Sequence, residues 1–281
     1  MTAYSIIFIQ LILPAQEPDL KDLIKLLHSN PVEENPSEKI ELKSGVIFCT
    51  GKSPVALLNN KAAELMLKEK YSEAKELLME GLTHASLFFP FRYNLGECCL
   101  FLDDLRGALL HFNKAKDIVP EYSKTFLRIG YIYQRWDMDS DAVMAFREAL
   151  KRNVKELGSY ILIGDIYFKR NQLEMAKKYY EATLKIQHRY PDGLLGQAKI
   201  LFKEEKYFQS MLVIKSIKTD REYDKSLHYY YAEAAFKLRD YAVAAREYSK
   251  LLEFKNDRFF LTNSRSLIEH KLNLSIRFSE K

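Results

Sequence analysis

The stretch 123–156, SKTFLRIGYIYQRWDMDSDAVMAFREALKRNVKE, decides the fold. Its first part carries Phe126, Ile129, Gly130 and Tyr133 at the i, i+3, i+4, i+7 spacing of one helix face. Its second part carries Ala142, Phe146 and Ala149 at the same kind of spacing. The polar stretch Asp137-Met138-Asp139-Ser140 separates them, as a turn does. This is a helix, a short turn and a second helix in 34 residues, and the pattern recurs on both sides without an insertion. Stepping by 34 places units at Val55, Phe89, Ser123, Leu157, Pro191 and Lys225, the last closing at Arg258.

Equivalent places in the six units share side-chain size. Place eight holds Ala62, Gly96, Gly130, Gly164, Ala198 and Ala232, all small. Place twenty holds Ala74, Ala108, Ala142, Ala176, Ser210 and Ala244, again small. Place twenty-four holds Leu78, Phe112, Phe146, Tyr180, Ile214 and Tyr248, all large. Two antiparallel helices approach closely only where a side chain is nearly absent, so the small columns mark the crossing within a unit. The large column is expected to fill the space toward the next unit. One pair cannot bury its apolar face alone, and neighbours must stack. The scarcity of glycine (10) and proline (8) in 281 residues agrees with long helices. The expected fold class is all-α, an α-solenoid of antiparallel helix pairs with a C-terminal capping helix.

These columns resemble the tetratricopeptide repeat family. Leu95-Gly96, Ala108, Phe112, Ala115 and Pro120 carry the likeness in the second unit, and Phe126, Ile129-Gly130, Tyr133, Ala142, Phe146 and Ala149 in the third. The resemblance covers 55–258. Lys61 and Gln197 depart from it at place seven and His228 at place four.

Outside the array, residues 1–54 read as an N-terminal segment. It has an apolar start over Met1–Leu13, a short amphipathic helix over Asp19–His28, a proline-containing linker over 30–37 and an extended stretch over Ile40–Cys49. The apolar start is too short to span a bilayer. It resembles the core of a signal peptide, yet the first basic residue is Lys21. The expectation is a cytoplasmic chain, with export or membrane association through 1–13 as the alternative. Residues 259–281 read as a cap and tail, with a helix over Leu261–Leu274 whose apolar side holds Leu261, Leu267, Ile268 and Leu272.

The sequence offers little to chemistry. Gly51-Lys52-Ser53 ends like a phosphate-binding loop, but Val46 stands where the first glycine is required. The six histidines lack metal-ligand spacing, and Cys49, Cys98 and Cys99 are neither a disulfide framework nor a zinc set. No catalytic dyad, cofactor or metal site is expected, and the chain is read as a non-enzyme. The 43 basic against 38 acidic residues make a mixed surface, too weakly basic to imply nucleic acid.

In the resembled family the first helix of each unit lines a concave groove, at places two, five, six, nine, twelve and thirteen. Carried onto this chain, those places yield Tyr93, Asn94, Lys124, Arg128, Tyr131, Arg135, Lys169, Lys199, Lys203 and Lys237 as a basic, aromatic partner-binding set. Phe168, Phe202, Tyr229, Tyr230 and Phe236 interleave with it. The place-thirteen cations also suit a helix C-terminus whatever the partner. Some family members grip a C-terminal carboxylate with five groove residues. Asn94, Lys124 and Arg128 match that pattern, whereas Asn59 and Ala63 replace its first two members. The resemblance therefore implies a scaffold that binds a partner peptide or helix of acidic or C-terminal character. Single-stranded RNA in the same groove and a part in an envelope-associated assembly are the alternatives.

Overall fold

The computed structural model describes residues 39–217, 225–254, 259–260 and 263–279. The apolar start, the Asp19–His28 helix and the 30–37 linker lie outside these residues, as do Leu261 and the boundary at Arg258. A two-stranded antiparallel hairpin comes first, β1 (Ile40–Lys43) and β2 (Val46–Cys49). Helix pairs follow: α1 (Pro54–Leu67) with α2 (Tyr71–His84), α3 (Phe89–Phe101) with α4 (Leu105–Ile118), and α5 (Ser123–Arg135) with α6 (Asp139–Arg152). Then come α7 (Leu157–Lys169) with α8 (Leu173–Ile186), α9 (Pro191–Lys203) with α10 (Tyr207–Ile217), and α11 (Lys225–Lys237) with α12 (Tyr241–Glu253). The last described helix is α13 (Arg265–Ser279). Two compact units divide the chain, one ending at Pro120 and the other starting at Glu121.

All six turns have one geometry, which explains the uninterrupted period. The fifteenth residue of each unit, Glu69, Asp103, Asp137, Asn171, Glu205 or Arg239, sits in the left-handed region with φ between 56° and 62°. The N–H of the sixteenth residue then donates to the carbonyl of the eleventh at 2.8–2.9 Å, from Lys70 to Leu65 through to Asp240 to Ala235. This is a Schellman closure, which usually places glycine at the left-handed residue. Here no unit has one. Glycine substituted at Glu69, Glu205 or Arg239 is therefore expected to stabilise by about 0.5–1 kcal/mol each, with less gain at Asp103, Asp137 and Asn171, whose side chains tolerate this region better. Denaturant midpoints of the single variants check this.

The columns pack as a lock within each unit. A Cβ added at Gly96 would lie 2.7 Å from the ring of Phe112, at Gly130 2.5 Å from that of Phe146, and at Gly164 2.6 Å from that of Tyr180. The large place-twenty-four residue thus fills the gap left at place eight of its own unit, not chiefly the space toward the next one, as the sequence had suggested. Tyr180 does both, because its ring also abuts Gly196 of the following unit. Leu195 is buried in that unit, while Gln197 is exposed on a cavity of about 140 Å³ lined also by Lys177, Tyr180, Glu181 and Glu204. The polar residue at place seven is therefore exposed at the edge of a surface recess rather than in the core.

Helix starts are capped locally. Asp104 accepts from the Gly107 amide at 2.8 Å and Asp240 from the Val243 amide at 3.2 Å. Ser53 caps α1 by accepting from the Ala56 amide at 3.2 Å, and Pro54 takes the first helical position, where its missing N–H removes no bond. Ser53 of the Gly51-Lys52-Ser53 stretch thus serves as a helix cap. The capping helix starts and ends later than the expected Leu261–Leu274. It buries Ile268 and Ser275, leaves Leu272 half-buried and exposes Leu267.

Candidate functional site

In the N-terminal unit the first-helix face is occupied by the chain itself. Strand β2 lies against α1 and α3. Its edge facing away from β1 is bonded by asparagine side chains. Ile47 N donates to Asn94 Oδ1 at 2.9 Å, and Asn94 Nδ2 donates back to Ile47 O at 2.8 Å. Cys49 N donates to Asn60 Oδ1 at 2.7 Å, and Asn60 Nδ2 donates back to Cys49 O at 2.8 Å. Asn59 Nδ2 adds a bond to Ile47 O at 2.9 Å, and Asn94 Nδ2 one to Asn59 Oδ1 at 2.9 Å. Each carboxamide stands in for a peptide group of a missing third strand. The strand also brings Val46 and Cys49 into the apolar cluster of Val55, Leu58, Ala62, Leu95 and Cys98.

This removes two members of the expected groove set. Asn94 is fully buried and its amide is engaged by Ile47. Tyr93 is also fully buried, its ring edge-on to Phe112 at 5.4 Å. Neither faces a free groove. The carboxylate-grip pattern loses its asparagine for the same reason. Asn59 and Asn60, unassigned from the sequence, turn out to be site residues. Their signal was two adjacent carboxamides following the apolar run Val55–Leu58 of the first helix, since a buried amide requires a bonding partner.

The other eight residues lie in the C-terminal unit, where acids of the same or the preceding repeat answer several of the cations. Lys124 Nζ reaches the buried Glu156 at 2.8 Å. Lys169 Nζ pairs with Asp137 at 3.1 Å. Lys199, mostly buried, pairs with Asp165 at 2.9 Å, a spacing of 34 residues. Arg128, Tyr131 and Arg135 are half-buried. Lys203 and Lys237 are exposed, and Lys203 lies over the Phe168 ring at 5.8 Å. Three cations of the basic face are thus answered from within the chain, while Lys203 and Lys237 lie exposed toward the ends of α9 and α11.

The aromatics of this face assemble. Tyr230 meets Phe168 and Phe202 edge-on, at 6.2 and 5.5 Å between centroids, and Tyr229 at 5.3 Å. Tyr229 continues the run to Phe259 at 5.8 Å. All are partly exposed, so three successive first helices, α7, α9 and α11, present one interlocked ridge. Burial, with Asp165 and Glu233 nearby, pushes the Tyr230 hydroxyl well above its ordinary range.

A repeated acid-centred node holds the helices that carry the ridge. Asp165 accepts from Tyr180 Oη at 2.7 Å and from Lys199 of the next unit. Glu233 accepts from Tyr248 Oη at 2.7 Å and from Lys271 of the cap, through both oxygens, at 2.7 Å. The cap thereby supplies the cation that another repeat would supply. Among the described residues no helix is long and apolar enough to cross a membrane.

Fold and surface together define a tandem helix-pair repeat scaffold, the class that offers extended faces to protein partners. Residues 157–187, which span α7 and α8, match the family model described as "Tetratricopeptide repeat", and the repeated helix pairs around them have the fold of tetratricopeptide repeat proteins. It is similar to the TPR repeat-containing protein YpiA of Bacillus subtilis (strain 168), 21% identical over 56% of this chain and 37% of the relative. The chain spans well under half the length of the curated relatives it matches. Among solved structures it is similar to PilW, a type IV pilus biogenesis factor, with TM-score 0.62, 16% identity, and 72% and 94% of the two chains covered. It is also similar to a chain of the APC/C Cut9–Hcn1 hetero-tetramer, with TM-score 0.67, 10% identity, and 79% and 42% covered.

Proposed function

We propose that the protein is a non-catalytic scaffold that receives a partner polypeptide on the first-helix face of its C-terminal unit. The observation that carries this is the ridge of Phe168, Phe202 and Tyr230, with exposed Lys203 and Lys237 at the ends of its helices. Partly exposed aromatics supply rigid apolar contact at low entropic cost, and adjoining cations select acidic flanks. A fitting partner carries apolar side chains beside Asp or Glu. The similarity to a subunit of the Cut9–Hcn1 hetero-tetramer, a chain in a protein assembly, supports a partner of the protein class. Internal pairing of Lys124, Lys169 and Lys199 leaves few cations for phosphates, which weighs against RNA.

Peptides selected from a random display library on the immobilised chain test the proposal. They are expected to combine acids with apolar residues and to weaken with salt. The Lys203→Glu/Lys237→Glu variant should bind them about tenfold more weakly, since reversing cations at a rim alters attraction without emptying the core. Equal binding by the charge-reversed variant would remove the ridge from consideration.

A further inference from the structure

The hairpin in the N-terminal unit is attached in a way that suits exchange. Its bonds to α1 and α3 run from side-chain carboxamides to the backbone of Ile47 and Cys49, so the hold depends on extended conformation more than on side-chain identity. Only β2 is embedded: Val46, Ile47 and Cys49 are buried, whereas Glu41, Leu42 and Lys43 of β1 are exposed. The slot therefore accepts one strand. Asn59 and Asn94 are fully buried at its floor. If the hairpin left and nothing replaced it, Asn94 and Asn60 would exchange their paired backbone bonds for water, and the apolar side chains under Val46 and Cys49 would be exposed, which is unfavourable. Physical chemistry thus favours substitution by another extended backbone over an empty slot.

We propose that this face of α1 and α3 is a recognition site for an extended polypeptide strand, closed in cis by the hairpin 40–49. The strand it would take in trans is defined by what β2 shows. Apolar side chains are required at the places of Val46 and Ile47, a tolerant position at half-buried Phe48, and a small residue at Cys49. This concerns a different face from the aromatic ridge and stands or falls without it.

The probe is a labelled peptide with the sequence of residues 39–51, and the hairpin is weakened at its turn, outside the slot. Gly45 has φ 84°, so Gly45→Val strains the turn and leaves the asparagines untouched. The peptide is expected to bind full-length Gly45→Val at least tenfold more tightly than the parent chain, because cis closure lowers apparent affinity. Adding Asn94→Ala should abolish that binding. In the parent chain the Ile47 and Cys49 amides should exchange hydrogen at least tenfold faster than the amides of α1 and α3. The inference is overturned if the peptide binds neither folded protein, or binds both equally. Should Gly45→Val not fold, exchange in the parent chain decides alone. Ile47 and Cys49 amides as slow as those of the helices would make the hairpin a permanent part of the core.

Discussion

Replacing Gly130 by valine is expected to remove about 3 kcal/mol of stability, toward the upper end of what overpacking a closed core produces. A Cβ there would lie 2.5 Å from two carbons of the Phe146 ring. The ring has nowhere to go: it is fully buried in a cluster with Ala142, Val143, Ile163 and Ile166. Valine adds two further methyl groups to that overlap. Alanine at the same position should lose less, because its better helix propensity offsets about 1 kcal/mol of the clash. Shortening the opposing side chain, as in Gly130→Ala/Phe146→Leu, should recover part of the loss. Urea unfolding of the four proteins measures this. A Gly130→Val variant as stable as the parent would mean that the place-eight and place-twenty-four residues do not interlock.

The second large effect is expected at the cap. Lys271→Met should destabilise by about 3 kcal/mol, the lower end for removing one partner of a buried ion pair, since Lys271 keeps some contact with water. The carboxylate of Glu233, 7% exposed, would then keep only the Tyr248 hydroxyl of the partners described above. Methionine preserves most of the apolar stem, so the main thing removed is the ammonium charge, which also lies over the Phe236 ring at 5.8 Å. Glu233→Gln in the same chain should restore much of the loss, because a carboxamide tolerates burial without a counter-ion. A double-mutant cycle from denaturant midpoints gives the coupling. Additive effects of the two substitutions would show that the cap is held by apolar packing around Ile268 alone.

The period of 34 residues, the six helix pairs and the small and large columns were legible because they obey local rules. Helical spacing repeats along the chain, and a missing side chain at Gly96, Gly130 or Gly164 is visible as a letter. The turns were legible as polar stretches but not in their geometry, since residues such as Glu205 and Arg239 take a conformation that usually advertises itself as glycine. The groove set was legible as a list of positions. Its state was not, because burial and pairing join residues about 32 to 47 apart, as for Lys124 with Glu156, Lys199 with Asp165, and Asn94 with Ile47.

By itself, then, the sequence determined the architecture of this protein. Amphipathic spacing and side-chain volume act within and between adjacent helices, and both can be read in order. Only the tertiary structure decided which cations are answered by acids of their own or the preceding repeat, and that Phe168, Phe202 and Tyr230 meet as one ridge. It also decided that the asparagines of α1 and α3 are engaged by the chain's own strand. These outcomes depend on which groups converge in space, where a buried carboxamide or carboxylate must find a partner, and convergence is a property of stacked helices rather than of any one of them.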